Sequence, residues 1–570
     1  MNAKIYVLTA LAMCIGLLLT GFPAGAGQIE TSVTLSVSGV IQQTPTETYT
    51  YIISVSGSNY QMTNGTTGHI DYQSTNATQV INAAIGNLTQ GGGSILFSSG
   101  TYNLNGSITG TNKDDITLAF ENGATLFVAN GMNAPAILLN NANNWLIQNP
   151  TINGNAINQA VGGGSRAHGV EIDSSNNSRV DGAYIYNVRL FGFYTLTNVV
   201  NVGIANSKIT NCGWNGITLG GDNAGELSLY AINNEVAYCS DVGITNYGYS
   251  NTVQNNYIHD MNGTTGFQGS GIAGSQWGIG VEGGGNDTIT GNTILNCWSG
   301  IVISATTGLA SNLNNISFNK VQNSTSVAIE ISNDFNLING NIIIQWDALD
   351  VYAGGIYLDS TANYNTVTAN ILNCTNPNAQ GIVIYGGTGN QITSNSINAP
   401  TNQVNNGINV QNGSNNTIIT QNLIVGCGGS GIKVDSGVNT VIKNNDLTQV
   451  ASYTKIGNSG TTTSIYTNPG YNPVGYVSAN FIYNGTSFNY IVDGIQYITM
   501  GNSSTWVSAT TYTNTESPKV LYISGGTVTA IVFDGQTLYT AATTCSITLQ
   551  PGDTFSVTFS TTPTISVIGQ

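Results

Sequence analysis

Charge is what this sequence has least of. Only 7% of its 570 residues are Asp, Glu, Lys or Arg, and 11 basic against 27 acidic residues leave a formal net charge of −16. So few cations cannot neutralise a run of phosphates, which argues against nucleic acid as a partner. Histidine is scarcer still, with three residues, and the seven cysteines and 11 prolines are thinly spread. Beyond residue 26 no stretch reaches the roughly 18 apolar residues that a spanning helix needs, so no membrane span is expected.

What is abundant is glycine, 71 residues, in a chain that is 40% apolar and long enough to bury a large core. Residues 1–26 combine Lys4, an apolar run from Ile5 to Leu19 and the small triplet Ala24-Gly25-Ala26. That is the layout of a secretory signal peptide and predicts an exported protein, extracellular or at the cell surface. Cys14 lies behind Met13 rather than a small residue, which argues against lipid attachment. Asn-x-Ser/Thr sites such as Asn64, Asn87, Asn262 and Asn484 fit an exported glycoprotein, although chance supplies many of them in a chain this rich in Asn, Ser and Thr.

From about residue 167 to 450 one phrase recurs, a Gly or Ala followed by alternating apolar residues: GVEI at 169, GITL at 216, GIGV at 278, AIEI at 328, GIYL at 355 and GIKV at 431 are examples. The spacing is 22 to 28 residues except for one coil of 35, which is the period of a solenoid. A second phrase, Asn before a short apolar strand, aligns Asn206, Asn234, Asn256, Asn292, Asn319, Asn341, Asn370, Asn395, Asn422 and Asn445. Stacked about 4.8 Å apart, their amides can bond one another at a buried bend, so an asparagine ladder is predicted. Cys212, Cys239, Cys297, Cys374 and Cys427 fall in the turn before the Gly-Ile strand and form another column, read as buried thiols with disulfides left open.

These coils resemble the NosD-type repeats of parallel β-helix proteins. The segment TNATQVINAAIGNLTQGGGSILFSSGTYN at 75–103 resembles the beginning of the pectate-lyase (pectin-lyase-like) superfamily. The helix there also stands on its own residues: Thr75 or Asn76 can cap it, Val80, Ile81 and Ile85 form its apolar face, and Gly91 to Gly93 stop it. The expected organisation is all-β: a β-rich lead-in over 27–70, a right-handed parallel β-helix with an N-terminal capping helix over 71–470, and a β-sandwich-like module over 471–570. In that last region the period gives way to short strands and turns.

In each Gly-Ile-x-Val strand the Ile and Val point inward, so the second and fourth residues after Gly are expected to face solvent. Among these pairs are Glu171/Asp173, Thr218/Gly220, Thr245/Tyr247, Gly280/Glu282, Glu330/Ser332, Tyr357/Asp359 and Asn409/Gln411. Glu330 and Asp359, on adjacent coils, would sit about 8 Å apart, within the span used by inverting glycosidases. The polygalacturonase branch of the superfamily implies acids just before the Gly. His168 and Asp241 occupy two of its positions, but His168 comes three coils too early and Asn215 stands where an acid is needed. The pectate-lyase branch implies acids that bind Ca²⁺ and a basic residue; Arg166, Arg179 and Arg189 are the only arginines, and the use of Ca²⁺ stays open.

The 35-residue coil carries about ten extra residues between His259-Asp260 and Trp277, and long Gly-rich insertions on a regular solenoid tend to serve function. The turns before consecutive Gly-Ile strands hold Trp214, Asp241, His259, Asp260 and Trp298. Acids and a His beside aromatic faces suit a bound sugar and proton transfer. Asp241, His259 and Asp260 are therefore the catalytic candidates, with Trp214, Tyr247, Trp277, Trp298 and Glu282 as substrate-binding candidates and His168, Asp173, Glu330 and Asp359 behind them. Structural roles for the same residues stay open, since tryptophans also cover apolar turns. Two functions are carried forward: a polysaccharide lyase or glycoside hydrolase, and a non-catalytic surface, adhesion or glycan-binding protein. Oligomeric state is not legible.

Overall fold

The computed structural model describes most residues from Thr48 onward, apart from 90, 161–165, 222–224, 262–274, 305–309, 348–353, 374–375, 377–378, 400–405 and, beyond 450, several further segments, the longest being 469–488 and 499–507. The signal-peptide segment, Cys374 and the bulk of the 35-residue coil's insertion lie outside the described residues.

Each coil contributes three short strands. In one coil these are Gly203–Ala205, Lys208–Cys212 and Ile217–Leu219, after which the chain returns to the first position at Tyr230–Ile232. Successive coils pair in parallel and in register: Ile204 lies beside Ala231, Ile209 beside Val236, and Ile217 beside Ile244. This stacking builds three sheets of 18, 13 and 14 strands among the described residues, here called the first, second and third sheets in the order a coil visits them. Because every inward position repeats on the next coil, the aliphatic side chains form unbroken buried columns and one continuous core.

The helix at the N-terminal end, Ala77–Asn87, is capped by Asn76, whose side chain accepts from the Gln79 N–H. Val80, Ile81, Ala84 and Ile85 bury its apolar face, and the helix ends before the glycines are reached. The lead-in has a structural part to play. Tyr51–Ser56 and Asn59–Asn64 form an antiparallel hairpin, and Tyr51 to Ile53 pair in parallel with Ile95 to Phe97, which extends the first sheet past its first full coil.

The asparagine ladder runs at the bend between the first and second sheets. Asn319 shows the pattern: its amide donates to Asn341 Oδ1 (3.0 Å) and to the Ile289 carbonyl (2.9 Å), while its Oδ1 accepts from the backbone and side chain of Asn292 (3.0 and 2.9 Å). The column differs from expectation at its start. Asn206 is exposed at φ 51°, and Ser207 takes the ladder position, donating its backbone N–H to Asn234 Oδ1. At the far end the ladder continues through Asn445 to Asn468. A second ladder, not foreseen, occupies the bend between the third and first sheets, where Asn314, Asn336, Asn365 and Asn390 bond in series. Replacing Asn319 with Ala would orphan two buried donors on Asn292, each costing about 1–3 kcal/mol. A drop in melting temperature of several degrees, with the variant still folded at 25 °C, is the expected outcome.

Cys212, Cys239, Cys297 and Cys427 are buried and unpaired, as stacked thiols would be. Burial pushes the thiols of Cys297 and Cys427 up to about 12. Beyond residue 488 the described strands form an eight-stranded antiparallel sheet around the 15-residue strand Lys519–Phe533, with its own core of Leu521, Ile523, Ile531, Leu549, Phe555 and Val557.

Candidate functional site

The third sheet does not present the solvent-facing surface that its sequence pattern suggests. Glu171, Thr218, Thr245, Val302 and Asn409 all point away from the core, yet all are buried. Alternation along a strand determines which side of the sheet a residue takes, but not whether other chain lies over that side.

Within this outer face the structure assembles three groups. In the first, Arg166 forms an ion pair with the fully buried Glu171, its Nε donating to Glu171 Oε2 at 3.2 Å. His168 Nε2 lies 3.8 Å from the same carboxylate, and burial, with Arg166 nearby, pushes the imidazole down to about 3, so it stays neutral. Phe191 stacks on His168 at 5.0 Å and also meets Trp214 at 5.4 Å. The Trp214 indole N–H donates to Asp241 Oδ2 at 2.7 Å, and Asp241 Oδ1 accepts from the Ser275 N–H. Asp241 is thus committed to holding two turns together, and Asn215, standing where the polygalacturonase pattern needs an acid, bonds Thr245. Asp173, one step along from Glu171, lies 3.4 Å from the Asn140 amide.

The second group gathers three of the expected substrate-binding residues. Tyr247 donates its hydroxyl to Glu282 Oε2 at 3.2 Å, and the Trp277 ring lies against Gly280, two residues from Glu282. A side chain at Gly280 would meet that ring at 3.1 Å, so the missing Cβ is what seats the indole. Trp298 is 45% exposed on the neighbouring coil, where its N–H donates to the Gln276 carbonyl.

The third group centres on Glu330 and Asp359. Glu330 pairs in register with Tyr357, so Asp359 is its diagonal neighbour on the next coil, about 8 Å away between Cα atoms from strand rise and spacing. Burial, and then the charge of Asp359, raise the Glu330 carboxyl above the usual carboxylate range. The Asp359 carboxylate accepts from the Ser360 N–H at 2.6 Å. Tyr357 lies in an outer apolar cluster with Val327 and Val383, and Tyr385 packs against it with ring centroids 6.2 Å apart.

His259 and Asp260 are not brought to Asp241. His259 is the last residue of the second-sheet strand Tyr257–His259; its Nδ1 lies 2.8 Å from Asp260 Oδ2, and its Nε2 lies 3.6 Å from Glu235 Oε1. Its ring stacks on Tyr257 at 4.3 Å. Asp260 lies at φ 56° and takes the Asn296 amide. Their partners therefore belong to the second sheet, while those of Asp241 belong to the turn leading into the third. Among the described residues no three His, Cys, Asp or Glu gather to hold a metal ion, and no step is assigned to Ca²⁺. No described helix is long and apolar enough to cross a membrane.

The family described as a right handed beta helix region matches residues 135–278. No curated protein sequence matches the chain. Among solved structures, a DFA-IIIase from Arthrobacter chlorophenolicus A6 is 15% identical with a TM-score of 0.40, covering 60% of this chain and 90% of its own. The A-module of the Azotobacter vinelandii mannuronan C-5 epimerase AlgE4 is 15% identical with a TM-score of 0.33, covering 72% and 96%. A tailspike protein of E. coli bacteriophage HK620, in complex with a pentasaccharide, is 12% identical with a TM-score of 0.44, covering 86% and 89%. The matched repeat region and the three-strand parallel coils together identify the chain as a right-handed parallel β-helix protein.

Proposed function

We propose that this protein is an exported glycoside hydrolase that cleaves a polysaccharide lying along the outer face of the third sheet, with Glu330 as general acid and Asp359 as general base. The observation that carries the reading is the Glu330–Asp359 pair. One carboxyl is pushed above its ordinary value by burial and by its neighbour's charge, and the other accepts a backbone hydrogen bond from Ser360. Such a pairing suits protonation of a leaving oxygen and activation of water, and side chains rooted about 8 Å apart on adjacent coils are compatible with the wider carboxyl spacing of an inverting pair. Tyr357 and Tyr385 supply aromatic surface beside the pair, and Trp277, Tyr247 and Glu282 extend it along the same sheet.

The test is incubation of the full chain with a panel of neutral and uronic-acid polysaccharides, reading reducing ends and 235 nm absorbance together. Reducing ends without absorbance are expected. An absorbance rise would replace the hydrolase with a lyase. Binding without either signal would favour the non-catalytic glycan-binding reading, which the structural commitments of Asp241 and Glu171 favour.

A further inference from the structure

The second sheet carries a groove on its outer face that the polysaccharide track does not use. It has a volume of about 610 Å³ and is lined by Gly182, Ala183, Tyr184, Asn206, Lys208 and Glu235, together with Ser207 and Asn233. Its origin is local. At the bend between the first and second sheets, successive coils place a residue with positive φ just before the ladder position: Asn149, Gly182, Asn206 and Asn233 occupy it in turn. Gly182 and the buried Ala183 leave a notch where the next two coils project asparagine side chains. Tyr184 stands at the edge of the notch, 40% exposed, and Tyr186 stacks against it with centroids 4.7 Å apart and planes 16° from parallel. The stacked partner fixes the orientation of the Tyr184 ring, whose side chain lines the groove.

We propose that this groove is a binding site for a neutral oligosaccharide, separate from the track on the third sheet. An exposed, pre-oriented tyrosine face beside primary amides is the combination that a sugar ring uses, apolar C–H surface against the ring and hydroxyls against the amides. Asn206 and Asn233 are both exposed at the rim, where the Asn233 amide donates to Asn206 Oδ1 at 3.3 Å and the Asn206 amide donates to Asp181 Oδ1 at 2.7 Å. The charges select against a uronate. Lys208, the groove's only lysine or arginine, is engaged by Glu235 at 2.7 Å, so the lining carries one positive and one negative charge in contact. A polyanion would find no uncompensated cation there and would approach a protein of net charge −16. The volume lies in the range of small-ligand sites, enough for one or two sugar rings. The groove contains neither Glu330 nor Asp359, so the site stands whether or not the chain is a hydrolase.

The test is calorimetric titration of the full chain carrying Glu330→Gln, to prevent turnover, with cellohexaose, maltohexaose, mannohexaose and xylohexaose, and with hexagalacturonate as the charged control. At least one neutral hexasaccharide is expected to bind with an affinity that changes less than twofold between 50 and 500 mM NaCl. Tyr184→Ala should weaken it at least tenfold, and Tyr184→Phe should hold it within twofold, because the phenyl face is retained. Circular dichroism of both variants checks that the coil is intact, as expected for an exposed side chain. Binding of none of the four, preference for hexagalacturonate, or binding abolished by Trp277→Ala and untouched by Tyr184→Ala would each overturn the proposal. The last of these would leave the hydrolase reading in place.

Discussion

Replacing Glu330 with Gln should lower kcat on a polysaccharide substrate by roughly 10²–10⁴-fold while leaving substrate affinity within a fewfold, since the amide keeps the side chain's shape and loses only its proton. The size follows from the role. A general acid contributes roughly 10²–10⁴-fold, and Asp359 is already assigned to the base. The pH profile should change as well. In the wild type the Glu330 carboxyl is raised by burial and by Asp359, so activity falls on the alkaline side as Glu330 loses its proton, at a pH above the ordinary carboxylate range. Asp359→Asn removes one cause of that elevation and should move any residual alkaline limb to lower pH. Equal activity in wild type and Glu330→Gln would rule out this carboxyl as the acid.

Replacing Asp287 with Asn should raise the stability of the protein at pH 8 and leave it nearly unchanged at pH 4. Asp287 occupies the second ladder at a rung where the following coils place asparagines: Asn251 donates its N–H to Asp287 Oδ1 at 2.8 Å, and Asp287 donates its own N–H to Asn314 Oδ1 at 3.0 Å. An asparagine at this rung would also donate through its side chain, as Asn314 does to Asn336 at 3.0 Å. A carboxylate cannot, and its Oδ2 is buried without a hydrogen-bond partner. Burial therefore pushes the group up to about 7, against the opposing pull of the Asn251 N–H and the nearby Asn246 amide. With the folded value above the unfolded one near 3.9, the unfolded chain gives up its proton first. The contribution is complete below about pH 4 and is lost as pH climbs through about 7, for a total of ~4 kcal/mol at 1.36 kcal/mol per unit. Asparagine removes that loss, so denaturation midpoints of the two proteins should diverge between pH 4 and 8. Parallel midpoints across that range would show that Asp287 is ionised in the folded chain at no cost.

The sequence carried the coil but not its surroundings. Isoleucine and valine recur because each inward position faces the same column on every turn, so the period, the sheets and the capping helix at Ala77–Asn87 could be read directly. The ladder was misphased by one residue at Asn206, because several coils place two polar residues at the bend, one at positive φ and one buried, and at 233/234, 255/256 and 444/445 both are asparagine. Only the exposure of Asn206 and the bond from Ser207 to Asn234 tell them apart. The second ladder went unseen because its members follow turns of variable length, which blurs their spacing. For the site, adjacency along the coil was a poor guide. Asp241 and His259 both precede a third-sheet strand along the coil, but His259 ends its second-sheet strand and stacks on Tyr257, whereas Asp241 lies beyond its second-sheet strand and bonds Trp214. Glu330 and Asp359 were legible as a pair because strand register alone sets their separation. What sequence could not supply was the burial of Glu330, because alternation along its strand sets the side it takes but not what lies over it.

In the proposed reaction Glu330 and Asp359, on neighbouring coils, cleave a glycosidic bond, one protonating the leaving oxygen and the other activating water. The most direct measurement is proton NMR of the first products released from an oligosaccharide substrate, read before mutarotation scrambles the anomers. A reducing end of inverted configuration is the expected result. A retained anomer, an unsaturated product, or an oligosaccharide panel left uncut would contradict it.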